Sequence, residues 1–213
     1  MNPIRKAAGT AFHLALVVAI AAATSCKKDE EKEPQTPTTP ATPVTTEPVE
    51  IHTWEGLGTG SVSDPQTVYF SFETNSVIPA SQLTATNWDI SFRRSVIRLN
   101  GGISGTGNAA LVIRTDSTYD AILVADQSGY KVDGEGPEDE LGATSDHLVF
   151  NGWFDYDSFE GTLTPKPQVY VIRTAQNHYL KMEILDYYDP ITTAGGVYKF
   201  RYTYQPGGSR VLN

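Results

Sequence analysis

From Val68 onward, apolar and polar residues alternate with a period of two. Val68, Phe70 and Phe72 alternate with Tyr69, Ser71 and Glu73, and Trp88, Ile90 and Phe92 with Asp89, Ser91 and Arg93. Leu180, Met182 and Ile184 alternate with Lys181 and Glu183, and Tyr198, Phe200, Tyr202 and Tyr204 with Lys199, Arg201 and Thr203. That period sets one face on a core and one toward water, as antiparallel sheets allow. Turn formers separate the runs: Asn100-Gly101-Gly102, Gly105-Thr106-Gly107-Asn108, Gln176-Asn177 and Gly195-Gly196. No window of a dozen residues reads as a strong amphipathic helix. Gln168–Thr174, His178–Tyr187 and Gly196–Gln205 are strand-like runs on short connections, which predicts a closing meander. The expected fold is all-β, a single domain of antiparallel strands without internal repeats.

The alternation stops short of the N-terminus. Arg5 and Lys6 precede an apolar stretch from Ala11 to Ile20, too short to span a bilayer and typical of a secretion signal. It ends in Ala23-Thr24-Ser25-Cys26, which resembles a bacterial lipobox with Cys26 as the acylated residue. A generic signal with an incidental cysteine is the plainer alternative. Lys27 to Glu33 is a charged run, and Pro34, Pro37, Pro40, Pro43 and Pro48 follow among threonines. Such a segment buries too little apolar surface to repay its ordering. The expected division is a lipoprotein signal peptide over 1–25, a disordered tether over 26–50, and a folded domain over 51–213. The charged run resembles a surface-export signal of outer-membrane lipoproteins; a plain solvated run is the alternative.

Charge and cysteine content narrow the chemistry. With 16 Lys+Arg against 25 Asp+Glu, the net charge is −9, which disfavours a nucleic-acid partner. One cysteine forbids an intrachain disulfide and a zinc–cysteine cluster. Gly105 to Ala110 fits a dinucleotide-binding spacing, but Leu111-Val112-Ile113-Arg114 after it reads as a strand and offers no helix terminus. Gly102-Ile103-Ser104 lacks the second glycine of a nucleophile elbow. Asp133 to Glu140 departs from calcium-loop spacing and reads as a solvated acidic loop. Asp155 and Asp157 share a strand face rather than flanking a bond from opposite sides. The expectation is a protein that is not an enzyme.

Asn87-Trp88-Asp89-Ile90-Ser91-Phe92-Arg93-Arg94 and Ile97-Arg98-Leu99-Asn100-Gly101-Gly102 resemble a motif block of the HmuY-like haemophore family. Gly152-Trp153, the strand Val169–Thr174, and the closing strands Lys181–Tyr187 and Phe200–Tyr204 agree with it in order. The resemblance implies an all-β lipoprotein at the outer membrane, exposed on the cell surface. It further implies haem as ligand, held between two axial His or Met side chains, and a TonB-dependent receptor as partner. One family ligand position, five residues past the Gly-Trp tryptophan, is Ser158 here, and Tyr130 to Asp146 holds no His or Met.

His147, six residues before Trp153, is the leading substitute donor; a partly exposed loop histidine beside Asp146 is the alternative. Tyr156 follows, since a phenolate can bind ferric iron, although most tyrosines of a β protein are surface and interface residues. His178 reads as a solvated turn residue and Met182 as core. His52 joins no constellation, and His13 belongs to the signal. No other metal site is expected. The alternative function is the same scaffold without haem, binding a glycan, another apolar ligand or a partner protein.

Overall fold

The computed structural model describes residues 41–53, 66–134 and 148–213. Among these residues the strands are, in chain order, β1 (Val44–Thr45), β2 (Val49–His52), β3 (Val68–Ser71), β4 (Ser76–Ile78), β5 (Ile90–Arg93) and β6 (Val96–Leu99). There follow β7 (Ala110–Arg114), β8 (Phe154–Asp157), β9 (Thr162–Pro165), β10 (Val169–Arg173), β11 (Tyr179–Tyr188) and β12 (Gly195–Gln205). A single 3-10 turn at Ala80–Gln82 is the helical content of the described residues. The all-β expectation holds, and β10, β11 and β12 are the expected meander.

Two main sheets face each other. One has the order β1-β12-β11-β10-β7, with β2 also on β12; the other has the order β4-β3-β5-β6. Strands β8 and β9 form a separate hairpin. The alternating residues of the sequence meet between the main sheets: Phe92 stacks on Phe200 with ring centroids 5.6 Å apart, and Phe70 meets Phe200 edge-on. Leu180, Met182, Tyr198 and Tyr202 complete this interior.

The other face of the large sheet departs from the expectation. It does not face water, because the chain around Tyr119, Ile122, Ala125 and Leu212 packs on Val169 and Val171 of β10. Buried on both faces, β10 reads Val-Tyr-Val-Ile without alternation, as a doubly covered strand should. Lys181 is consequently buried, its Nζ donating to the Ile122 carbonyl at 2.8 Å and lying over the Tyr119 ring.

Pairing also begins earlier than composition implies. Val44 lies opposite Tyr204 and Val49 opposite Phe200, so β1 and the start of β2 fall inside the segment read as disordered tether. An eleven-residue β12 leaves a long row of backbone donors and acceptors on its free edge, which an extended Val/Thr segment satisfies. Pro43 and Pro48 stand just outside the two short strands, where no ladder bond is needed.

Candidate functional site

The motif residues form a buried polar knot. Asp89, 4% exposed, accepts hydrogen bonds from Phe72 N at 3.0 Å and Ala175 N at 2.9 Å. It thereby ties the end of β3 to the turn after β10, one in each main sheet. Burial, with the charge of Glu73 adding, outweighs those bonds and pushes its carboxyl up to about 6. Asn100 donates to the carbonyls of Ala85 and Trp88 and accepts from Gly107 N. Gly102 takes φ 61°, and a Cβ on it would collide with the Asp133 carbonyl.

Asp133 is the second anchor. It is 1% exposed and so is not part of a solvated acidic loop, contrary to what its charged neighbours imply. Its carboxylate accepts from Leu99 N at 3.0 Å and from Val149 N at 2.9 Å. Burial raises its pKa against the pull of those donors and of Arg98. The bond to Val149 makes a neck between the described segment that ends at Gly134 and the one that begins at Leu148.

A pocket of about 520 Å³ opens beside that neck. Val112 and Ile113 of β7 form one wall, and Val132, Leu148 and Val149 another. Lys131 supplies a cation and Asn151 an amide. Its lining is about equally polar and apolar and open to solvent, and its volume lies in the range of small-molecule sites.

The candidate donors are distributed unevenly. His147 and Cys26 lie outside the described residues. Leu148, the chain neighbour of His147, lines the pocket. Tyr156 sits on β8, 59% exposed and opposite Leu163, and is absent from the pocket walls. Ser158 follows β8 in the hairpin turn. His178 is half-buried rather than a solvated turn residue, with its Nδ1 2.5 Å from the Tyr204 hydroxyl. Met182 is fully buried in the core, and His52 pairs with Glu50. Among the described residues no cluster of His, Cys, Asp and Glu could hold a metal ion. Among the described residues the walls bring apolar side chains, one cation and one amide, and contribute no iron donor. Lys131 and Asn151 were not singled out by sequence, and Asp133 only as the start of an acidic loop; an Asp-Gly pair ending the run Tyr130-Lys131-Val132 was the one available sign.

The family model described as HmuY protein matches residues 63–202. Among solved structures, the apo HmuY analogue of Tannerella forsythia aligns with a TM-score of 0.58 at 13% identity, covering 79% of this chain and 100% of that one. A protein of Bacteroides vulgatus, described as HmuY-like and heme-binding, aligns at 0.52 with 16% identity, over 76% of this chain and 96% of its own. A Bacteroides fragilis protein described as a lipoprotein also gives 0.52 and 16%, over 74% and 88%. No curated protein sequence matches. Identities this low carry the fold and assign no residue a role.

Proposed function

The chain belongs to the HmuY family, and from that premise we propose a lipid-anchored surface protein that captures haem and passes it to a TonB-dependent outer-membrane receptor. The supporting observation is the pocket beside the Asp133–Val149 neck, where Val112, Ile113, Leu148 and Val149 offer apolar contacts and Lys131 a cation for an acidic substituent. Haem contributes the iron and its redox chemistry; the chain's own part is to shield the macrocycle, neutralise an acidic edge and offer a donor. His147, next in the chain to the pocket residue Leu148, is the proposed single protein ligand, ahead of Tyr156. The reading is of a binding protein and not an enzyme, anchored through Cys26 at the outer membrane.

Haemin titrated into the purified chain tests this. With one protein ligand, ferric haem should show a high-spin spectrum, and His147→Ala should return the Soret band toward free haemin. A low-spin spectrum surviving His147→Ala would refute the ligand assignment. The second reading is the same scaffold serving a glycan, another apolar ligand or a protein. It is favoured by the engagement of His52, His178 and Met182 away from the pocket. No spectral change with haemin selects it.

A further inference from the structure

The outer edge of the large sheet is left open at the pocket. On one side β7 pairs with β10, and Asn108 N donates to the Ala175 carbonyl at 3.2 Å in the same register. The alternation of an antiparallel ladder then turns the main chains of Ala110, Val112 and Arg114 toward β10, and those of Leu111 and Ile113 away from it. Leu111 meets this outward demand by exchanging both bonds with Lys131 at 2.9 Å. Ile113 does not. Its counterpart along that ladder is Gly129, which takes φ 88°, and the pairing stops after one bridge. Among the described residues no group bonds to the Ile113 N–H or carbonyl, and Ile113 and Gly129 both line the pocket.

A main-chain donor and acceptor left open on one edge residue call for a strand-like partner. An extended peptide presents a carbonyl and an N–H at that spacing, whereas the carboxylates of a porphyrin edge could meet only the donor. A second copy's β7 is no candidate, because Val132, Leu148 and Val149 flank this edge in every copy. The bonded Leu111–Lys131 pair closes the groove at one end, so a chain can enter along Ile113 but not run through. Lys131 lines the pocket at that closed end. Neighbouring charges are engaged elsewhere: Asp133 by Leu99 N and Val149 N, and Arg114 by Asp116 and Asp126. A cation at the end of a blind groove suits the terminal carboxylate of the entering chain.

We propose that the pocket takes the C-terminal end of an extended peptide, which adds to β7 through the Ile113 main chain and sets its carboxylate against Lys131. This deepens the second reading above and rests on the pocket being a ligand site. The probe is acetyl-Thr-Val-Thr-Val with a free C-terminus, titrated into the full-length chain by calorimetry. Amidating the peptide's C-terminus and Lys131→Ala should each weaken binding at least about threefold, and the two together no more than either alone. Methylating the peptide amides one at a time should weaken binding at alternate positions, and hydrogen exchange at the Ile113 amide should slow on binding. Lys131→Ala should keep the parent's circular dichroism. No binding of the peptide, an equal effect of amidation on parent and variant, or unchanged exchange at Ile113 would overturn the proposal. Haemin titrated separately keeps the readings apart: haemin bound and peptide refused overturns this proposal alone, and refusal of both removes the pocket as a ligand site.

Discussion

Asp89 couples the protein's stability to pH. Its folded-state value of about 6 lies above the ordinary 3.8, so the folded chain takes up this proton first. The stabilising contribution is present below 3.8 and is lost as pH rises through about 6. That amounts to about 3 kcal/mol at most between the two limits. Urea unfolding at pH 4.5 to 7.5 should show a gain on acidification that Asp89→Asn reduces, the remainder coming from Asp133. Equal slopes in the two proteins would show that the carboxylate is ionised throughout. Trp153, 2% exposed with its indole N–H bonded to the Ser95 carbonyl, is a packing residue. Trp153→Ala should cost about 3–5 kcal/mol in the same assay. At this scale the sequence was legible for Trp88 and Met182, whose neighbours alternate. It was misleading for Asp133 and His178, because burial of a polar side chain depends on partners far along the chain.

The Asn100-Gly101-Gly102 turn locks β6 to the segment carrying Asp133, and both glycines meet backbone. A Cβ at Gly101 would run into the Ala109 carbonyl, and Gly102 adds its positive φ. Valine at either position should therefore lower the urea midpoint strongly, Gly102→Val more so. Wild-type stability in both variants would mean that the turn can be rebuilt. The strands themselves were largely legible, since each long one carries its own two-residue period. β1 and β2 were not, because their pairing comes from the vacant edge of β12 and leaves no pattern in a Pro/Thr-rich stretch. The covered outer face escaped for a related reason: Lys181 and Thr203 look solvent-facing until Tyr119 and Ile122 are laid over them.

At the scale of the whole molecule, the proposed anchor should be separable from the fold. Cys26→Ala is expected to leave the circular dichroism unchanged and to release the protein from washed membranes; retention in the pellet would point to another attachment. The candidate site was legible only in outline. Family motifs indicated a scaffold, but the pocket is assembled from β7 and two distant segments, which no local pattern relates. The course of β1 and β2 along β12 also has a mechanical meaning. Tension drawn through Ala41 along the strand direction would load their ladders lengthwise, so that the bonds share the force rather than peel in turn. A protein held at one end and gripped at the other would be strained first across the few pairs that join β1 and β2 to β12, with the meander behind them spared.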